Sequence, residues 1–251
     1  MVLVETFLPP GIAPGIAVLL LFASVLTSMI TAAFGAGGGL MLLGIMAQFL
    51  PPVALVAVHG LIQLGSNAGR FVMTWRHADW GVLSVFAPGV VLGMTAGALV
   101  LVRLPEMLWQ LIIAGFILWL IWGPPIPKAV LGRGGIFVAS SVTSFASLFV
   151  GATGPSVAVF IKQLHTDHLR AIATFSGAMT FQHLPKVLVF GVTGFAFPKW
   201  ILWVLLMIGC GLLGTWLGLR VARRMTGQHF HRLLDGILTL LALRLIWQAL
   251  A

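Results

Sequence analysis

Charge is scarce in this sequence: only 8% of its 251 residues are Asp, Glu, Lys or Arg, where a soluble domain carries about 25%. So few charges cannot cover a globular surface, which excludes a soluble protein and points to lipid. Acids are the scarcest. All five, Glu5, Asp79, Glu106, Asp167 and Asp235, fall in or near expected loops or helix ends. No carboxylate is left in mid-membrane as an obvious proton relay or as a hard ligand for a divalent metal. One cysteine, Cys210, excludes an internal disulfide and a thiolate metal cage. No metal and no cofactor is expected. A basic n-region is also missing from Met1 to Pro10, so the first apolar run reads as retained rather than as a cleaved signal peptide.

What is present is apolar: 60% of the residues are hydrophobic and the mean hydropathy is +1.10. At about 20 residues per spanning helix the length allows roughly ten crossings, hence a single transmembrane domain over residues 1–251 with the lipid bilayer as its main partner. The net charge of +9 does not signal nucleic acid. The bases sit between apolar runs, where cytoplasmic loops of membrane proteins concentrate them.

The runs are Ile12 to Phe34, a short Leu40 to Leu50, Val53 to Met73, Gly81 to Val102 and Met107 to Trp122. The series then recurs as Gly134 to Val150, a short Ser156 to Leu164, Leu169 to Phe190, Trp200 to Val221 and Phe230 to Leu250. The expected fold is an all-α polytopic membrane protein of two tandem repeats, about 11–123 and about 133–250. A shift of about 116 to 121 positions places Gly35 on Gly151, Ala57 on Ala173, Asn67 on His183, Arg70 on Lys186, Trp80 on Trp200 and Arg103 on Arg224.

Charge placement favours five crossings per half. With the loop from Arg220 to Arg232 inside, only Arg103, Lys186, Lys199 and Arg244 of the fourteen bases fall outside. Four crossings per half, with the short segments re-entrant, would divide the bases evenly. An odd number of crossings inverts the second repeat, so an inverted repeat with both termini outside is favoured over a parallel duplication.

Each half contains a helix breaker. The first, Phe34-Gly35-Ala36-Gly37-Gly38-Gly39, gives up about 1 kcal/mol per Gly relative to Ala in surroundings that penalise unpaired backbone. Its counterpart is Val150-Gly151-Ala152-Thr153-Gly154-Pro155. The following helices, roughly 16 and 14 Å long at 1.5 Å per residue, are too short for a core about 30 Å thick. Their N-terminal ends should therefore be recessed, and free amides with the positive end of a helix dipole suit an anion. Candidate anion ligands are the amides near Gly37, Gly38, Gly39 and Leu40 and near Thr153, Gly154 and Ser156. The competing reading is that the glycines only allow close helix crossing.

The third helix of each half carries polar residues. His59, Gln63, Asn67 and Arg70 share one face of the first, and Gln182, His183 and Lys186 lie on the second, where they would line a pathway. Lys186, just after the helix-kinking Pro185, reads equally as an anion-attracting gate and as a lysine snorkelling to the interface. Arg70, nearer its helix end, favours snorkelling. His59 and His183 contact substrate or are ordinary hydrogen-bonded interior residues. An intramembrane hydrolase would need a serine in reach of a histidine; Ser176 and His183 lie roughly 10 Å apart along one helix, so no enzyme is expected.

Thr27-Ser28, the Gly35 to Gly39 cluster, Ala57, Gln63, Ser66-Asn67 and Arg70, repeated more loosely from Val142 to Lys186, make the chain resemble the sulfite exporter TauE/SafE family, also called the four-toluene-sulfonate uptake permeases. The resemblance implies a multi-pass protein of the bacterial inner membrane that moves small sulfur-containing anions such as sulfite, sulfoacetate or other organosulfonates, often outward. An anion channel or uniporter, or a carrier of another small anion, is the alternative. The second break has Thr153 where the first has a glycine triplet, which sets equal roles for the two halves in question.

Overall fold

A computed structural model describes residues 11–34, 37–100, 105–123, 132–221 and 228–250. Glu5, Gly35, Arg103, Lys128, Arg223 and Arg224, used above for charge placement or alignment, lie outside the described residues. The same holds for the side chains of Glu106, Arg232 and Asp235.

Among the described residues there are ten α-helices and no strand. They are α1 (Pro14–Phe34), α2 (Gly38–Met46), α3 (Pro52–Thr74), α4 (Trp80–Val100), α5 (Glu106–Trp122), α6 (Arg133–Val150), α7 (Gly154–Leu164), α8 (His168–Val192), α9 (Ile201–Val221) and α10 (Gln228–Leu250). Each apolar run of the sequence corresponds to one helix, with ends within a few residues. Proline sets several starts: Pro52 and Pro155 stand in the first turns of α3 and α7, where the missing N–H costs nothing.

Four helices are long and apolar enough to cross a membrane by length and composition: α1, α4, α6 and α9. They pack as two close pairs, α1 with α9 and α4 with α6, the most extensive helix pairings in the molecule. Small residues make the approach possible. An added Cβ on Gly214 or Gly218 would strike the backbone of Val25 or Met29 across the first pair, and one on Gly89 or Gly93 would strike Phe137 or Ser141 across the second. In both pairs the contacts advance together along the two chains, so the partners are parallel.

Between these pairs lie α3 and α8, packed on each other. Gly60 of α3 meets Lys186 of α8, and Phe71 of α3 meets Gly177 of α8; the contacts run in opposite senses, so the two helices are antiparallel. The principal pairings also correspond under a step of five helices: α1 on α9 matches α6 on α4, α3 on α9 matches α8 on α4, and α1 on α2 matches α6 on α7.

Candidate functional site

The first break turns at Gly37, whose φ of 100° only glycine adopts readily. Gly37 caps α2 without a side-chain hydrogen bond, and the first amide to find an intrahelical carbonyl is that of Met41, 3.0 Å from the Gly37 oxygen. The amides of Gly38, Gly39 and Leu40 thus precede the helical ladder. In the second break the positive φ, 87°, is at Gly151, three residues before α7. Thr153 caps α7, again with no side-chain hydrogen bond to the helix amides, and Pro155 removes one amide, leaving those of Gly154 and Ser156 ahead of the ladder. The first break is the richer in donors.

Both breaks border one cavity of about 30 Å³. Gly37, Gly39 and Leu40 line it from the first break, and Ala152, Gly154 and Pro155 from the second. Thr31 closes it from α1, His59, Gln63 and Asn67 present the α3 face, and Phe175, Met179 and His183 present α8. The wall is therefore polar on the α3 side and largely apolar on the α8 side.

The polar wall is tied to the first break. His59, fully buried, places Nε2 2.9 Å from the Gly39 carbonyl oxygen, and the Gln63 amide stands 3.2 Å from the same ring nitrogen. Asn67 donates to the Gln63 backbone oxygen at 2.8 Å. Gly39 has no room for a side chain, because a Cβ there would overlap the Gln63 amide.

Arg70 and Lys186 extend this arrangement inside the protein. Arg70 does not snorkel: it is 2% exposed, donating to Asn67 Oδ1 at 3.4 Å and to Thr215 Oγ1 of α9 at 3.3 Å. An interior hydroxyl and amide give the guanidinium partners that the helix sequence alone does not reveal. Lys186 does not snorkel either. It is fully buried, its stem crosses Gly60, and its ammonium donates to the Gly151 carbonyl at 2.7 Å. Gly151 ends α6, so this cation meets the negative end of a helix dipole.

Of the residues singled out from sequence, Gly37, Gly39, Leu40, His59, Gln63, Asn67, Gly154 and His183 border the cavity. Gly38, Arg70, Thr153, Ser156, Gln182 and Lys186 stand behind it. Gly38 is pressed against the Thr27 carbonyl of α1, which matches the close-packing reading of a membrane glycine. Gln182 turns toward α6, donating to Ser144 Oγ at 3.1 Å and accepting from Thr153 Oγ1 at 3.0 Å. Thr153 and Ser156 border a second, apolar cavity with Phe116, Trp119 and Phe160. Thr31, Ala152, Pro155, Phe175 and Met179 are lining residues that were not among the candidates from sequence; the signal for Thr31 was its place one helical turn after Thr27 and just ahead of the break. Among the described residues the buried Ser176 hydroxyl has no hydrogen-bond partner, and so no histidine there to activate it as a nucleophile. Among the described residues no group of three or more His, Cys, Asp or Glu could hold a metal.

A family model described as sulfite exporter TauE/SafE matches residues 20–245. The chain belongs to the sulfite exporter TauE/SafE family. This TauE/SafE protein is accordingly a membrane transporter and not an enzyme. Neither the curated proteins nor the solved structures include a match to it.

Proposed function

We propose that this protein is a secondary carrier of the bacterial cytoplasmic membrane that exports a small sulfur-containing anion, such as sulfite, sulfoacetate or another organosulfonate, by alternating access around the cavity between the two breaks. The observation that carries the reading is that one cavity is bordered by the starts of both half-helices. The oxyanion would lie against the amides of Gly39 and Leu40 on one side and of Gly154 on the other, where dipole and free donors favour negative charge. Gln63 would add a side-chain donor. Lys186 and Arg70, buried with no carboxylate bonded to them among the described residues, would supply positive potential from behind the wall.

The cavity, at about 30 Å³, is nearer the size of one water than of a sulfur oxyanion, so loading requires the half-helices to part. The antiparallel setting of α3 and α8 supports an inverted repeat, in which the two halves rock against each other and expose the site to each side in turn. An interior negative by 100 mV favours exit of each negative charge by about 2.3 kcal/mol, so export needs no coupling ion.

Efflux from proteoliposomes tests the reading. Trapped sulfite or sulfoacetate should leave faster than from protein-free vesicles; equal rates for every small anion tried would discard it.

A further inference from the structure

The head of α7 is a partition between two cavities of unlike character. Gly154 and Pro155 face the central one, of about 30 Å³, while Thr153 and Ser156 face the second, of about 170 Å³, which lies between α5, α6 and α7. Phe116, Trp119, Val142 and Phe160 form much of the wall of this second cavity. Its threonines are turned away from it: the Thr143 hydroxyl donates to the Ala139 carbonyl at 2.7 Å and the Thr153 hydroxyl to Gln182 Oε1 at 3.0 Å. A space of this kind stays dry, as an apolar cavity of about 150 Å³ does while holding benzene. The guest it suits is hydrocarbon, about six carbons of it.

Floor and mouth show where that hydrocarbon comes from. Thr153, Ser156 and Phe160 are buried, whereas Trp119 is 50% and Val142 60% exposed. Val142 stands midway along α6, a helix long and apolar enough to cross the bilayer, and Val138, one turn earlier, is exposed on the same helix. The mouth is therefore continuous with the face this membrane transporter turns to the hydrocarbon core, where lipid acyl chains take the place of solvent.

We propose that this second cavity binds the terminal segment of a phospholipid acyl chain, which enters between α5 and α6 and wedges the head of α7. The consequence is mechanical. The central cavity must grow to admit a sulfur oxyanion, and the opposite side of the α7 head is already occupied: a Cβ on Gly154 would touch Phe175 and Met179 of α8. Growth by displacement of that head away from α8 runs into the second cavity. An empty cavity receives the displaced residues and a seated chain opposes them, so exchange of the chain with the bilayer accompanies loading. The wedging step rests on the carrier reading above; binding of the chain does not.

The full chain in phosphatidylcholine vesicles, with a trace of a phospholipid carrying a diazirine at the end of one acyl chain, tests the site by photolabelling and peptide mass spectrometry. Adducts should form inside the cavity, on Ala146, Thr153 or Ser156, as well as on outward residues such as Val18 and Phe22 of α1. Ala146→Phe fills the cavity and should remove the inner adducts while leaving the outer ones. Ala139→Leu, a smaller change on the same wall, gives the same reading should the first variant fold poorly. Adducts confined to outward residues in the parent overturn the binding site, as do inner adducts that persist in both filled variants. The built-in side chain is a wedge that cannot leave. Sulfite efflux from proteoliposomes of a filled variant with the parent's thermal midpoint should therefore fall about tenfold, the scale of a step forced into an overpacked core. Loss of the inner adducts with unchanged efflux overturns the wedge. No flux of any anion from the parent overturns the carrier reading instead, and the labelling result then decides the binding site by itself.

Discussion

Lys186 of α8 lies across Gly60 of α3: a Cβ at Gly60 would stand 2.9 Å from the lysine Cδ, and from there the ammonium reaches the Gly151 carbonyl at 2.7 Å. One side chain thus joins the third helices of both halves to the second break. Glycine is required at position 60 because the stem needs the space a methyl group would fill.

Lys186→Met separates the two roles this contact combines. Methionine fills a similar volume and removes a buried charge, whose desolvation is costly, while the Gly151 carbonyl loses its donor at about 1–3 kcal/mol. These terms oppose each other, so the variant should remain folded, with a thermal midpoint within a few degrees of the parent. Anion flux should fall at least tenfold, because the countercharge behind the cavity is gone. Unchanged flux in a folded variant would reduce Lys186 to a packing residue.

Adjacent glycines of the first break should fail in different ways. At Gly38 a Cβ would land on the Thr27 backbone carbonyl, which cannot move without shifting α1; at Gly39 it would land on the end of the Gln63 side chain, which can. Gly38→Ala should therefore destabilise the protein by roughly 3 kcal/mol, the upper range for overpacking, seen as a lowered midpoint in detergent. Gly39→Ala should stay folded and lose flux, since displacing Gln63 disturbs its contacts with His59 and Asn67.

These cases show what the sequence could and could not convey. Ten apolar runs, two glycine breaks and the polar face of α3 are properties of local order along the chain, and each emerged from spacing alone. The separate duties of Gly38 and Gly39 depend on which element lies opposite, Thr27 in one case and Gln63 in the other. The burial of Arg70 depends on Thr215, 145 residues away, and the turn of Gln182 away from the cavity depends on Ser144 and Thr153. Partners so distant in sequence leave no mark on a helix's own periodicity.

Acid should weaken the membrane-edge cluster around Asp79. Its carboxylate accepts from the Val82 amide at the start of α4 at 3.1 Å and from Arg170 at 2.8 Å, while Thr174 Oγ1 accepts from the Asp79 amide. Partial burial pushes the Asp79 carboxyl up, but the Val82 amide and Arg170 outweigh it and hold the group below its ordinary value. His165, 3.5 Å from the same carboxylate, is lowered by burial against the opposing pull of Asp79. Both groups are depressed in the folded state, so their contribution to stability is present at neutral pH. It declines as pH falls below the ordinary histidine range and further as Asp79 takes a proton. Arg170 is half-exposed, so the ion pair adds little, and the helix cap dominates: Asp79→Ala should cost about 1 kcal/mol at pH 7.5. In thermal melts that difference should shrink only as pH falls below the ordinary carboxylate range, through the lowered value of Asp79; a constant difference there would show that the carboxylate charge contributes nothing.

Helix direction gives a sharper test of topology than charge counting. If α2 and α7 each cross, α3 and α8 run in opposite senses through the membrane; if both are re-entrant, each half crosses an even number of times and α3 runs parallel to α8. The contacts of Gly60 with Lys186 and of Phe71 with Gly177 are antiparallel, and so are those joining α5 to α10. There Trp122 donates to Thr239, and Gln110 shares a cavity with Gln248. The parallel pairs α1 with α9 and α4 with α6 fit both schemes and decide nothing. In a Cys210→Ser background, cysteines placed at Arg76 and Arg133 should react with an impermeant maleimide only from the cytoplasmic side, and one at Lys199 only from outside. Labelling of Arg76→Cys and Arg133→Cys from outside would require the even-crossing scheme, and with it two halves that repeat without inverting and cannot rock about a shared central site.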